Sequence, residues 1–271
     1  MHLAFLTSAW YRLRSTYFLP CRLGEYREFI KGCASYGYEM HSIISFWWLL
    51  SSGASVSDGK YMILRHDVDS DAATAEKMWS IEQEFGARSS FYFRLCTLDF
   101  DLMRRIEQSG SEASYHYEEL ATFAKQRCIR RPEELLPLMP EIQRTFADNI
   151  GILRQQSGLP MISVASHGDF ANRHLGMANW MLLEPYELRT QLGIEVEVYD
   201  EKLMNFVSSR HSDIAQYPAL WNPSNPIGAV RRSEPVIYVL THPGRWSRNR
   251  AELVEQDTLR LVEGIRYRLS R

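Results

Sequence analysis

Two aspartates stand two residues apart at the end of an apolar run, in Ile63-Leu64-Arg65-His66-Asp67-Val68-Asp69. Side chains alternate along a strand, so Asp67 and Asp69, together with Arg65, are expected to face one side, and His66 and Val68 the other. Two neighbouring carboxylates repel unless a proton or a cation comes between them. A divalent metal resolves the repulsion, leaving one carboxylate as ligand and the other as base. The competing reading is an Asp-rich turn that caps the next helix. For Ser70 and Asp71, both good N-cap residues, the cap is the preferred reading.

Three histidines stand in comparable places. His116 lies between two tyrosines in Tyr115-His116-Tyr117-Glu118-Glu119, where a short strand is expected to end. His242 follows the run Val236–Leu240 and precedes Pro243, which holds its backbone extended. An imidazole titrates near working pH, so His242 suits a general acid. His167 follows the run Met161–Ala165 and precedes Gly168, which lets the chain turn sharply beside a ligand. A third metal ligand, a substrate contact and an ordinary helix-start loop are all open readings for His167. His2, His41, His174 and His211 have no such setting and read as surface or core residues.

The elements that must position these groups alternate. Tyr61–His66, Ser90–Arg94, Met161–Ala165 and Pro235–Leu240 read as strands, with a short one leading to His116. Helical patterns cover Ala72–Phe85, Phe100–Gln108, much of Glu118–Gln156 and Arg250–Leu269. Strands alternating with helices argue for βαβ units and a mainly parallel sheet, which at this length suits a distorted (β/α) barrel. Barrel active sites form at the C-terminal ends of the strands. Four strand ends carrying Asp or His therefore read as one constellation. The linker-like stretch Ser51–Gly59 divides the chain into an N-terminal helical extension (1–59) packed on the barrel and the barrel itself (60–271). Within the extension, Gly24–Tyr36 is expected to be a helix closed by Gly37. The elements of 176–234 follow no clear order.

Composition narrows the function classes. The chain has 271 residues, 45% of them hydrophobic, and a formal charge of -2, so it is long enough for one large core. With 31 basic against 33 acidic residues and no basic stripe, it has no electrostatic footprint for nucleic acid. No run reaches the roughly 18 apolar residues of a membrane span. The N-terminal MHLAFLTSAWY lacks a leading basic region and reads as a first strand or helix on the core rather than a secretory signal. Four scattered cysteines point to a reduced, cytoplasmic protein. The pair Trp47–Trp48 is expected in the core.

These segments, in this order, resemble the polysaccharide deacetylase family (the NodB-homology or carbohydrate esterase family 4 group), over roughly residues 60–245. ILRHDVD (63–69) looks like its first motif, in which the first Asp is the catalytic base and the second binds the metal. That implies Asp67 as base and Asp69 as ligand. SSFYFR (89–94) is similar to its second strand, and GSEASYHYEEL (110–120) to its metal-histidine motif, with His116 as the first metal histidine. VLTHPGRW (239–246) resembles the last motif and implies His242 as catalytic acid, with Trp246 lining the pocket.

The chain departs from the family in two places. Leu120 stands where the second metal histidine is usual, and no arginine motif that orients the base is evident. This is the pattern of a divergent member, in which His167, or alternatively Glu118, supplies the third ligand. Three protein ligands plus water is the usual open zinc arrangement, so the implied cofactor is a divalent metal, zinc. The resemblance implies hydrolysis of an acyl group from an N- or O-acylated sugar, with Arg94, Tyr115, Tyr117 and Trp246 contacting the carbohydrate. Two alternatives stand beside it: a carbohydrate-binding pseudoenzyme of the same fold, favoured by Leu120, and a hydrolase of small cyclic amides.

Overall fold

The computed structural model describes residues 20–214, 220–247 and 250–269. The N-terminal segment MHLAFLTSAWY, with its expected strand or helix, lies outside the described residues, as does His2. Eight strands form one sheet: β1 (Glu39–His41), β2 (Tyr61–Val68), β3 (Ser90–Phe93), β4 (Glu112–Tyr117), β5 (Ser163–Ser166), β6 (Val196–Glu197), β7 (Ser209–Ser212) and β8 (Val236–Thr241). Its order is β6-β5-β4-β3-β2-β8-β7, and every pairing between strands is parallel. The long helices are α1 (Leu23–Ser35), α2 (Ile43–Ser51), α3 (Ala72–Glu84), α4 (Phe100–Gln108), α5 (Glu119–Gln126), α6 (Met139–Ser157) and, after the short α7 (Phe170–Leu175), α8 (Arg250–Leu269). This is the expected distorted (β/α) barrel, open between its edge strands β6 and β7.

β2 is the axis of the sheet. β1 pairs with its first half (Glu39 to His41 against Tyr61 to Ile63), β3 with its second half, and β8 along most of its other edge. A strand thus arises between α1 and the linker-like stretch, where the sequence marked none. It is followed by α2, capped by Ser42, whose side chain accepts from Ser45 N. Ile43, Ile44 and Phe46 of α2 pack with Ile63, Tyr92, Ala165 and Tyr238 and fill the lower barrel. Burying each of these large side chains contributes roughly 1.5–3 kcal/mol. The pair Trp47–Trp48 does not behave as one unit in the core: Trp48 is half exposed and donates to Glu195 Oε2 at 3.3 Å, because it follows the outward face of α2.

The outer faces of the strands carry the remaining core. Val68, Phe91, Phe93, Tyr115 and Tyr117 pack against α4, α5 and α6, while Met62, Leu64, Ile237 and Val239 pack against α1 and α3. Inward positions on β2 therefore run Ile63, Arg65, Asp67, from the packed bottom to the mouth. Helix α3 starts where the sequence places it: Asp71, at φ 56°, caps Thr74 N. No helix among the described residues is long and apolar enough to cross a membrane, and the four cysteines are all free thiols.

Candidate active site

Arg65 and Asp67 lie on the inner face of β2, both buried. Arg65 donates from Nε to Asp67 Oδ1 at 2.7 Å and from Nη2 to Oδ2 at 2.8 Å, with Nη1 reaching the Tyr238 hydroxyl at 3.1 Å. A bidentate fork fixes the plane of the carboxylate. Burial pushes the Asp67 carboxyl up, but the Arg65 guanidinium and then the nearby histidines outweigh it and hold it below the usual range. Each carboxylate oxygen keeps lone-pair capacity beyond its one bond to Arg65, and His116 Nε2 faces Oδ2 at 3.5 Å.

Asp69 follows β2 directly and has the same parity as Asp67. Its Oδ1 lies 3.4 Å from His116 Nε2 and 3.4 Å from His167 Nε2, yet has no hydrogen-bond partner. The ligand atoms of Asp69, His116 and His167 all lie within 4.8 Å of one another. His116 Nδ1 meets the Ala165 carbonyl at 2.9 Å. A carbonyl can only accept, so Nδ1 carries a proton, and Nε2 is the nitrogen turned toward the two carboxylates, the one that would meet a metal ion. His167 Nδ1 faces Glu118 Oε2 at 3.4 Å and is also buried without a hydrogen bond.

This donor set fits a metal ion. Two imidazoles and one carboxylate suit a divalent ion, and the 3.4 Å from Asp69 Oδ1 to each imidazole nitrogen is the separation that a tetrahedral ion with bonds of about 2.0–2.1 Å requires. An orphaned buried carboxylate oxygen aimed at two imidazoles has no other evident partner. Burial pushes the Asp69 carboxyl up, but His167 and His116 hold it well below the usual range, so it is anionic. Arg260 of α8 reaches its other oxygen at 3.8 Å from the exposed side.

Glu118, His167 and Asp169 form a second possible group around the same imidazole. Asp169 is already committed: Oδ1 caps α7 through Ala171 N at 2.8 Å, and Oδ2 pairs with Lys125 at 3.0 Å. Glu118 is gripped by Arg94 through Nε and Nη2. Burial pushes Glu118 up, but His167 and Arg94 bring it down to about 2.

His242 stands at the end of β8. Its Nδ1 bonds Asp213 Oδ1 at 2.6 Å, and Asp213 Oδ2 accepts from His242 N and Trp246 Nε1, both at 2.8 Å. Asp213 is the residue that immediately follows β7, and the sequence reading did not single it out. Burial alone lowers the His242 pKa, but Asp213 raises it more, and the net shift is upward. With Nδ1 committed to Asp213, Nε2 is the nitrogen left for chemistry.

The structure thus gathers Asp67, Asp69, His116 and His167 and sets His242 among the same strand ends. The substrate-contacting residues need correction. Tyr115 and Tyr117 flank His116 and so point to the opposite face of β4, fully buried in the helix-side core, with their hydroxyls donating to Glu119 and Glu197. Trp246 is 1% exposed and packs between Arg22, Tyr26 and Trp221, reaching the site only through Asp213. Arg94 lies at the site but is held by Glu118. Leu120, at the position of the absent histidine, is buried in the helix-side core.

No protein-family model matches this chain, and no curated protein matches it. Among solved structures it is similar to the deacetylase PplD of Streptococcus pyogenes in complex with acetate, at 11% identity and a TM-score of 0.42, over 85% of this chain and 84% of that one.

Proposed function

We propose that this chain is a divergent polysaccharide-deacetylase-type hydrolase, metal-dependent, that removes an acyl group, acetyl above all, from an N- or O-acylated sugar. The observation that supports it most is the orphaned Asp69 Oδ1 between His116 and His167. It lies two residues beyond a deprotonated, Arg-held Asp67 and among the same strand ends as an Asp-backed His242. Asp69, His116 and His167 would hold a divalent ion, zinc by its donor chemistry, which when bound polarises the scissile carbonyl and acidifies water. Asp67 takes the proton of the attacking water, and Arg65 keeps its carboxylate ionised and aimed. His242, protonated on Nε2, gives that proton to the leaving amine or alcohol. Asp213 stabilises the imidazolium and fixes the ring.

Elemental analysis tests the reading. After mild chelation and zinc repletion, wild type should hold close to one ion per chain, and Asp69→Ala and His167→Ala should hold almost none. Metal lost only in Asp69→Ala would move the third ligand to Glu118. A well-folded wild type that binds no metal would overturn the hydrolase mechanism and favour the carbohydrate-binding alternative.

A further inference from the structure

A cavity of about 200 Å³ opens beside His167, between the end of β5 and the segment that follows α7. The two asparagines on its wall are already spent inside the fold. Asn179 Nδ2 donates to the His167 carbonyl at 2.5 Å, and its Oδ1 accepts from Ala121 N at 3.0 Å. Asn172 Oδ1 accepts from Asp169 N and Asn179 Nδ2. Beside His167, the large side chains that line it are two aromatics, Trp180 and Tyr199, which are 41% and 45% exposed.

Both rings stand on rigid supports. Trp180 lies in the short helical turn Asn179–Leu183, tied through Asn179 to the backbone of His167. Tyr199 N donates to the buried Glu197 at 2.7 Å, and its ring lies 4.9 Å from the Arg65 guanidinium that holds Asp67. One wall of the cavity is thus a candidate metal ligand, and another touches the residue that aims the candidate base. Large amphipathic rings, rigidly held at an exposed cavity, pack flat against an apolar face and offer a polar edge beside it. A pyranose ring has that character, with C–H groups on its faces and hydroxyls at its rim. The volume suits one ring rather than a chain of them.

We propose that this cavity is the subsite for a single sugar ring of the substrate, with Trp180 and Tyr199 as its specificity-determining residues. This rests on the hydrolase reading for the identity of the ligand, but its test does not need turnover. The probe is tri-N-acetylchitotriose, titrated by calorimetry into the full chain: wild type, Asp69→Asn, Trp180→Ala, Tyr199→Ala and, as control, Trp48→Ala, whose half-exposed indole lies on α2. Circular dichroism confirms that each is folded.

Saturable binding is expected in wild type, Asp69→Asn and Trp48→Ala, weakened about tenfold or more in each of Trp180→Ala and Tyr199→Ala. No binding by wild type, or equal binding by all five, would overturn the subsite. Acetate release from the same probe by zinc-loaded wild type separates the two ideas. Binding lost with Trp180→Ala, but no acetate released, would keep the subsite and sink the hydrolase. Acetate released at an unchanged KM in both aromatic variants would keep the hydrolase and sink the subsite.

Discussion

Strand β2 carries two kinds of buried polar chemistry on its two faces, and they differ in how fully they are satisfied. On the outer face His66 has both ring nitrogens engaged, Nδ1 with Thr241 Oγ1 at 2.6 Å and Nε2 with Glu82 Oε1 at 2.7 Å, and it stacks on Phe91. Glu82 also accepts from the Tyr26 hydroxyl and from Ser89 Oγ. Every polar atom named there has a partner. At the mouth of the inner face, two residues beyond Asp67 and of the same parity, Asp69 Oδ1 and its neighbour His167 Nδ1 have none. The same residue types thus serve stability where they are closed on one another, and on the proposed reading they would take a ligand where they are left open.

The largest effect that tests this contrast lies on the closed face. Glu82→Ala strips the acceptor from Tyr26, Ser89 and His66 at once, deep in the core. It should cost about 3–5 kcal/mol of folding stability, read by urea denaturation. Zinc bound per folded chain should not change. A loss below about 1 kcal/mol would remove the distinction between the two faces.

Next comes the open face. Glu118 Oε2, held by Arg94, lies 3.4 Å from His167 Nδ1, close enough to pair with that nitrogen once an ion binds the other one. Glu118→Gln should weaken zinc binding about 10- to 100-fold, as loss of an outer-shell partner does, measured by competition with a chromophoric chelator. Complete loss of zinc would instead make Glu118 a ligand, and an unchanged affinity would free it of any part in the site.

Asp213 sharpens the contrast in a third way, since it closes one nitrogen of His242 and leaves the other open. Its anion raises the His242 pKa against the effect of burial, while Arg245 opposes it and Asp69 adds to it. A general acid works while protonated, so activity should hold to a higher pH than an ordinary histidine allows and fall as pH rises through the raised pKa. Asp213→Asn removes the anion. The basic limb of the kcat profile should move down by about one pH unit, equivalent to about 1.4 kcal/mol. A limb that stays in place would take His242 out of the acid role.

Much of this was legible before any coordinates, and the failures are instructive. Parity along ILRHDVD put Arg65, Asp67 and Asp69 on one face and His66 and Val68 on the other, and the Arg65–Asp67 fork, the nearness of both aspartates to His116, the outward bonds of His66 and the core packing of Val68 agree. The same rule, applied to SYHY, puts Tyr115 and Tyr117 opposite His116. Aromatic residues beside a histidine suggested a pocket where period two gives a core. Asp213 was hidden for another reason: β7 reads Ser-Arg-His-Ser and lacks the apolar run that marks a strand, so its end carried no signal. β6 is two residues long and β1 three, and such short strands owe their form to the neighbours they pair with rather than to their own sequence. Arg65 was visible in the motif, but its fork on Asp67 needed the inner face of the barrel to be seen.

The smallest effect expected separates two carboxylates that both lie near His167. Asp69 and Asp169 are each within reach of that imidazole, so distance alone allows either as a ligand. Their partners differ. Asp169 spends one oxygen on the N-terminus of α7 and the other on Lys125, whereas Asp69 keeps Oδ1 unpaired. Asp169→Ala removes a helix cap and a partly buried ion pair. It should lower stability by about 1 kcal/mol, read as a shift of the urea midpoint, and leave bound zinc at its wild-type level. Zinc lost with Asp169→Ala while stability holds would put the ion between Glu118, His167 and Asp169. The open oxygen of Asp69 would then be no guide to where a ligand binds.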